Sequence, residues 1–161
     1  MIKVLFWNIR RVARAPNLKR LRKLITLHSL QLVVVVEPKS GLENLTAIRL
    51  KLGMDYCLAN QGGSVWVFYR SLFNCQIIVE SAQYLIVQVQ SQLFPKSILL
   101  SCIHAKCMSQ EMVVLWSDLL RDRPLSVPWF IVGDFNVITN EKEKKEGLPF
   151  RPSEGLNFLN F

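Results

Sequence analysis

The sequence predicts an α/β protein, on three observations. Residues 2–7 and 32–36 are strand-sized apolar runs, and a segment with helical periodicity lies between them. From residue 56 the pattern changes to short strands separated by turn signals, which is typical of antiparallel pairing. A last run of bulky residues, 129–132, predicts a strand buried on both faces. The length of 161 residues suits one domain with its own core.

The first third of the chain predicts a strand, a helix and a second strand. Asn17 is placed as the N-cap of the helix, and an apolar stripe follows at helical spacing: Leu18, Leu21, Ile25 and His28. His28 continues this stripe, so we interpret it as a packing residue rather than a ligand. Residues 32–36 are β-branched without alternation and predict a central, parallel strand that ends before Pro38. A crossover of this kind places the carboxyl ends of both strands on one edge of a sheet.

The rest of the chain predicts further helices and five short strands. Apolar spacing over residues 42–52 indicates a helix with Gly53 as its C-terminal cap. Residues 84–90 alternate and predict a half-buried antiparallel strand. A helix over 109–121 is capped by Ser109, and a last helix begins at Ser153. The other predicted strands are 56–59, 65–69, 76–80 and 98–104. Lys142, Lys144 and Lys145 lie in a charged loop, which is usually a solvated surface but could reach phosphates.

The composition favours an anionic partner. The formal net charge is +8 and the pI is about 9.6, which points to nucleic acid first, with a solvated basic surface as the alternative. No apolar run approaches the roughly 20 residues of a membrane span, and the N-terminus does not have the pattern of a signal peptide. Four cysteines without a C-x-x-C pair predict reduced thiols in an intracellular chain rather than a zinc site.

Polar side chains follow three of the predicted strands. These are Asn8, Glu37 and the pair Asp134 and Asn136. Because alternate residues of an extended chain point the same way, Asp134 and Asn136 share one side, and Phe135 faces the core. A polar pair at the end of a buried strand is costly unless something binds there. The alternative is a simple turn at Gly133-Asp134-Phe135-Asn136, since these residue types favour turns.

This set of side chains is rich in oxygen and contains no soft ligand. Mg²⁺ or Mn²⁺ prefers such sites, commonly with one or two carboxylates completed by water and substrate phosphate. Given the net positive charge, the natural substrate is a phosphodiester. A metal would stabilise the charge that develops on the phosphate, while a protein group orients water.

Four segments, in this order, resemble the endonuclease/exonuclease/phosphatase superfamily, and most closely the apurinic-endonuclease-like domain of plant LINE-type retrotransposons. The resemblance covers essentially the whole chain and implies a DNase I-like fold, a four-layer α/β sandwich of two mixed β-sheets flanked by helices. The segments are Trp7-Asn8-Ile9-Arg10, Val36-Glu37-Pro38-Lys39, Gly62-Gly63-Ser64-Val65-Trp66-Val67 and Gly133-Asp134-Phe135-Asn136.

The resemblance also implies an Mg²⁺- or Mn²⁺-dependent activity that nicks DNA, with a role for each polar residue. Glu37 would be the metal ligand, with Asn8 beside it at the metal, and Asn8 would also help to position metal-bound water and phosphate. Asp134 would orient or deprotonate the attacking water, and Asn136 would hydrogen-bond the scissile phosphate. For each of them the alternative is a loop-capping polar residue. Further candidates for contact with phosphate are Arg10, Arg11 and Lys39.

Three departures from the family pattern stand out. Arg11 occupies a position where the family has glycine, in a tight turn that needs positive φ. His104 replaces a tyrosine; branches similar to DNase I carry a histidine there as general acid, so His104 is either a functional substitute or a neutral change. Nothing after Asn136 supplies the family's Asp-His pair. Residues 1–161 are therefore expected to form one domain without its C-terminal third, lacking the last strands.

We therefore predict a phosphodiester hydrolase of retroelement endonuclease type with weak or no catalysis, intracellular, and nuclear if it is such an endonuclease. A partner chain or the missing segment is expected to cover the open sheet. One alternative is a small-molecule phosphoesterase, for which His104 is the pointer. The other is a catalytically dead remnant that binds nucleic acid through basic residues, namely Arg10, Arg11, Arg14, Lys19 and Arg20.

Overall fold

The computed structural model describes residues 2–143 and 155–161. The chain divides into two compact units. The first contains Met1–His104 and Pro124–Asp134, and the second contains Ala105–Arg123 and Phe135–Phe161. Within the described ranges, every helix is too short or too polar to cross a lipid bilayer.

The first unit contains a four-stranded mixed sheet with the order β1-β2-β4-β3. Its strands are β1 (Val4–Asn8), β2 (Leu32–Val36), β3 (Tyr56–Ala59) and β4 (Val65–Tyr69). β1 and β2 are parallel, whereas β4 is antiparallel to both β2 and β3. All five residues of β2 are buried, as expected for a central strand made of β-branched residues.

A second four-stranded sheet has the order β5-β6-β7-β8. Its strands are β5 (Asn74–Glu80), β6 (Tyr84–Gln90), β7 (Ile98–His104) and β8 (Trp129–Asp134). β5, β6 and β7 are antiparallel neighbours, and β8 is parallel to β7. Both sheets are therefore mixed.

The core of the first unit has two parts. Apolar residues of both sheets, such as Val34, Val67 and Val87, form one cluster between them. On the other face of the first sheet, α1 (Ala15–His28) and α2 (Leu45–Leu52) bury their apolar stripes against Trp66 and its neighbours. This arrangement of two mixed sheets flanked by helices confirms the predicted α/β class.

The second unit contains α3 (Ser109–Arg121) and the short α4 (Leu156–Leu159). Trp116 stacks on Phe135 with ring centroids 5.8 Å apart, and Phe158 and Phe161 contact the same indole. Phe135 therefore faces an aromatic cluster, as its place between two polar residues predicts. The expected helix start at Ser153 and the phosphate contacts of Lys144 and Lys145 lie outside the described residues.

Two predicted helix caps are wrong. α1 begins at Ala15, and its N-cap is Arg14, without a side-chain cap bond. Asn17 instead donates hydrogen bonds from its amide to the carbonyls of Ile9 and Arg11, so it fastens the preceding loop. At α3 the N-cap is Met108, again without a side-chain cap bond, and not Ser109.

Three predicted burial patterns are also wrong. His28 is exposed, because the buried stripe of α1 ends at Ile25. β8 is not covered on both faces: it is the outer strand of its sheet, and Phe130 is 56 % exposed. β6 is almost entirely buried rather than half buried, since it lies inside the second sheet, between β5 and β7.

Candidate active site

The polar residues predicted at strand ends belong to two pairs of parallel strands. In the first sheet Asn8 pairs with Val36, and Glu37 is the next residue. In the second sheet His104 pairs with Asp134. Parallel neighbours end at the same edge of a sheet, so each pair presents its polar side chains together.

The side-chain amide of Asn8 joins the two sheets. Its Nδ2 donates to Oε1 of Glu37 at 3.2 Å and to Oδ2 of Asp134 at 2.6 Å. Both hydrogen bonds are partly buried, and both acceptors are carboxylates. The amide oxygen of Asn8 is buried and has no hydrogen-bond partner among the described residues. One side chain thus holds two carboxylates and leaves one hard oxygen atom unused.

Glu37 is surrounded by groups that favour its charged form. Nζ of Lys39 lies 3.3 Å from Oε2, and Nε2 of His104 lies 3.6 Å from Oε1. Partial burial alone would raise the pKa of Glu37, but the hydrogen bond from Asn8 and the charges of Lys39 and His104 outweigh it, so the pKa is lowered. Glu37 is therefore a carboxylate at neutral pH, the form that binds a cation.

The loops after β1 and β2 are held to each other through their backbones. The N–H groups of Ile9 and Arg11 donate to the carbonyls of Val36 and Glu37, at 3.1 and 2.9 Å. Non-glycine residues with positive φ are concentrated here: Arg10 (47°), Arg11 (110°), Glu37 (50°) and Lys39 (44°). The expectation of positive φ at Arg11 is confirmed. Strained backbone of this kind clusters at functional sites, where the surrounding bonds hold it in place.

These residues fit a hard divalent cation but not a closed protein cage. Among residues 2–143 and 155–161, no three His, Cys, Asp or Glu side chains group as a metal cage would require. Mg²⁺ needs no such cage, because it is commonly bound by one or two carboxylates while water and substrate phosphate complete its shell. Glu37 is the suitable carboxylate, and the unpartnered oxygen of Asn8 is a suitable neighbour.

The other predicted site residues are Arg10, Arg11, Lys39 and Asn136. Arg10 and Arg11 have exposed side chains in the loop after β1, whereas Lys39 is ion-paired with Glu37. Asn136 belongs to the second unit, where it is exposed, has a φ of 49° and donates to the carbonyl of Ala105. The candidate active site is formed by Asn8, Glu37, Asp134 and His104.

Sequence reasoning missed Asn60, a fully buried residue directly after β3. Its Nδ2 donates to Oγ of Ser64 at 3.1 Å and to the carbonyl of Ser81 at 3.0 Å, and its Oδ1 accepts the N–H of Val65 at 2.9 Å. The signal was its position before Gln61-Gly62-Gly63, since asparagine often bonds the backbone of the turn that follows it.

The two turns that hydrogen-bond to Asn60 also support the two sides of the candidate site. The carbonyl of Ser64 accepts the N–H of Glu37 at 3.1 Å. Oγ of Ser81 accepts the N–H of Gln83, whose carbonyl accepts the N–H of His104 at 2.7 Å. Asn60 is thus two hydrogen-bonding steps from Glu37 in the first sheet and three from His104 in the second.

The chain matches no protein-family model and no curated protein sequence. It is similar to solved structures. One is D. rerio TDP2 complexed with single strand DNA product (TM-score 0.65, 15 % identity, 85 % of this chain and 61 % of that one). Another is the human Nocturnin catalytic domain with bound sulfate anion (TM-score 0.62, 14 % identity, 88 % and 67 %). A third is an endonuclease/exonuclease/phosphatase family protein from Bacteroides thetaiotaomicron (TM-score 0.60, 13 % identity, 86 % and 64 %).

The chain therefore spans between 61 % and 67 % of the length of these three structures. At 13–15 % identity the likeness shows the fold alone, which is the fold of these three structures. The fold predicted from the sequence motifs is thereby confirmed.

Proposed function

We propose that this chain is a divalent-metal-dependent phosphodiester hydrolase that nicks DNA, of the retroelement endonuclease type. The observation that carries this proposal is the amide of Asn8, which bridges the carboxylates of Glu37 and Asp134 while its own oxygen is buried without a partner among the described residues. The net charge of +8 and the single strand DNA product bound to one structure of the same fold support nucleic acid as the substrate.

Bound Mg²⁺ or Mn²⁺ would supply Lewis-acid stabilisation of the charge that develops on the phosphate. Glu37, kept ionised by its neighbours, would hold the cation together with the oxygen of Asn8. Asp134, oriented by the Asn8 amide, would position the attacking water. His104, whose backbone N–H is fixed by Gln83, would donate a proton to the leaving oxygen.

The remaining candidates would bind the substrate. Arg10 and Arg11 are exposed beside the site and would contact phosphate oxygens, as would Lys39 and Asn136. We expect slow turnover, because residues 137–161 contain neither histidine nor aspartate and so supply no Asp-His pair as general base. Loss of a general base commonly costs about 10²- to 10⁴-fold in rate.

Nicking of supercoiled plasmid tests the proposal. We expect the wild-type chain to nick in Mg²⁺ or Mn²⁺ and to stop when EDTA removes the metal. Glu37→Gln, which keeps the shape of the side chain but removes its charge, should lower the rate about 100-fold. Glu43→Gln is the matched control, since Glu43 is exposed and, among the residues that the structure describes, its carboxylate bonds only Asn44. Equal rates for the two variants would rule out Glu37 as the metal ligand.

Two further assays on the same proteins distinguish the two alternative functions, a DNA-binding protein without activity and a small-molecule phosphoesterase. Salt-sensitive binding of DNA without nicking would favour the catalytically dead binder. Release of phosphate from soluble monoesters, without nicking, would favour the small-molecule phosphoesterase, in which His104 beside Glu37 would act as the acid.

A further inference from the structure

The positive charge of the chain is concentrated at one end of the sequence. Eight of the 20 lysines and arginines lie within residues 1–36, a stretch that contains no aspartate or glutamate. In residues 37–161 the other 12 basic residues are balanced by all 12 acidic residues. The whole net charge of +8 therefore comes from the segment that contains β1, the following loop and α1.

Most of these charges form one surface, which we call the basic face. Arg10, Arg11 and Arg14 lie in the loop before α1. On α1, Lys19 and Lys23 lie opposite the buried Leu21 and Ile25, and Arg20 and Arg22 lie on the two flanks. All four are exposed. Within residues 2–143 and 155–161 none of these seven side chains forms an ion pair, although Arg20 lies over the ring of Trp7 at 5.6 Å.

The basic face acts against the stability of its own helix. Lys19 and Lys23 are like charges four residues apart, and Arg20 and Lys23 are three apart, spacings at which side chains repel each other. The first turn contains no acidic residue to balance the helix dipole. An arrangement that disfavours the free helix is explained by a partner that brings the missing negative charge.

The basic face starts beside the candidate active site. The amide of Asn17, in the first turn of α1, donates to the carbonyls of Ile9 and Arg11, at 3.2 and 3.0 Å, and Ile9 directly follows Asn8 in the sequence. Because β1 and β2 are parallel, α1 runs back from that edge of the sheet. At 1.5 Å per residue, the distance from Arg14 to Lys23 is about 13 Å along the helix, or about four base pairs at 3.4 Å each.

We propose that the basic face binds the phosphate backbone of a nucleic acid duplex that flanks the active site, over about four base pairs. The identity of this duplex as the substrate rests on the proposed function, whereas its attraction to the basic face does not. Unpaired lysines and arginines release the counterions of a duplex when they bind it, so binding through them depends steeply on salt concentration.

Salt titration of binding to a short DNA duplex, in EDTA so that no cleavage occurs, tests the proposal. The variant Lys19→Gln, Arg22→Gln, Lys23→Gln removes three charges from the basic face and keeps Arg20 on Trp7. If all three contact phosphates, the slope of log Kobs against log salt should decrease by about 2.7. The control Lys51→Gln, Lys96→Gln, Arg123→Gln removes three exposed charges elsewhere and should leave the slope unchanged.

An equal change of slope in both variants, or in neither, would overturn the proposal. Tighter binding to vesicles of phosphatidylserine than to the duplex would overturn the choice of nucleic acid. Thermal melting checks the folding of both variants, and the basic-face variant should melt no lower than wild type because repulsion in α1 is relieved. The plasmid assay tests the proposed hydrolase separately. If the basic-face variant leaves the salt slope unchanged while the wild-type chain nicks plasmid, the basic-face proposal alone is refuted. If the slope decreases as expected but the wild-type chain does not nick, the hydrolase proposal alone is refuted.

Discussion

At the scale of single residues, backbone strain marks the two loops of the candidate site. Arg10 and Arg11 after β1, and Glu37 and Lys39 around Pro38, all have positive φ. The residue before a proline normally prefers an extended conformation, so Glu37 is held in its position by other contacts. Its N–H donates to Ser64 and its carbonyl accepts from Arg11. The backbone strain therefore lies at Glu37, the proposed metal ligand.

Arg11→Gly should stabilise the protein. Arg11 has a φ of 110°, a conformation that costs a non-glycine residue about 1 to 3 kcal/mol. Glycine relieves this strain but adds about 0.4 to 1 kcal/mol of unfolded-state entropy, so we expect a net gain of about 1 kcal/mol in urea unfolding. The control Arg14→Gly replaces a residue with φ of −64° and should only destabilise. A loss of stability in Arg11→Gly would show that the guanidinium, not the backbone, decides the energy there.

Lys39→Gln should raise the pKa of Glu37. Burial raises that pKa, and the hydrogen bond from Asn8 together with Lys39 and His104 lowers it further than burial raises it. A lowered carboxyl pKa gives stability above the unfolded-state pKa and loses it as the pH falls through the folded-state value. NMR titration of the Glu37 carboxyl should show a higher midpoint in the variant. Lys51, on α2, is not among the groups that shift this pKa, so Lys51→Gln should leave the midpoint where it is.

At the scale of elements, sequence patterns predicted interiors better than ends and faces. Strands 32–36, 56–59, 65–69, 84–90 and 98–104 and helix 109–121 have the predicted bounds, because each apolar run is closed by turn residues or prolines. The predicted N-cap at Asn17 is wrong because its side chain bonds carbonyls in the preceding loop, which no local sequence pattern reveals. The exposure of β8 follows from its position as an edge strand of its sheet, which is a property of the tertiary structure.

Asn60→Ala should destabilise the first unit by about 3 kcal/mol or more. The change removes the partners of the buried Val65 N–H and of the partly buried Ser81 carbonyl, and a buried group left unsatisfied costs about 1 to 3 kcal/mol. Urea unfolding measures the loss. Asn74→Ala is the control, since Asn74 is exposed and makes one long hydrogen bond of 3.4 Å to Gln90, and it should change stability by less than about 0.5 kcal/mol. Similar losses of unfolding free energy in the two variants would mean that the hydrogen bonds of Asn60 stabilise the first unit no more than an exposed one does.

At the scale of the whole molecule, the meeting of Asn8 and Glu37 follows from a topology that the sequence already predicts. Both end parallel strands joined by α1, so their proximity needs no long-range information. The hydrogen bond from Asn8 to Asp134 spans 126 residues and depends on how the two sheets pack, which residue patterns do not encode. Lys39 shows the same limit: it was predicted as a phosphate contact, but its ion pair with Glu37 was not predicted.

The core between the two sheets predicts a loss of stability at high pH. Burial raises the pKa of Cys75 to about 12 and, with the nearby ionisable Cys75, Cys57 and Tyr56, that of Tyr69 to about 12. Burial raises the pKa of Cys102 as well. The unfolded chain loses these protons at lower pH than the folded one, so the stability is complete below about pH 9 and falls as the pH rises toward 12.

Each buried thiol should contribute a loss of about 1.4 kcal/mol per pH unit in this range. The double variant Cys75→Ala, Cys102→Ala should therefore show a slope of unfolding free energy against pH that is shallower by about 3 kcal/mol per unit between pH 9 and 11. Its lower absolute stability from lost packing does not affect the comparison, because only the slope is measured. Parallel curves for wild type and variant would mean that both thiols ionise in the folded protein, so that water reaches the space between the sheets.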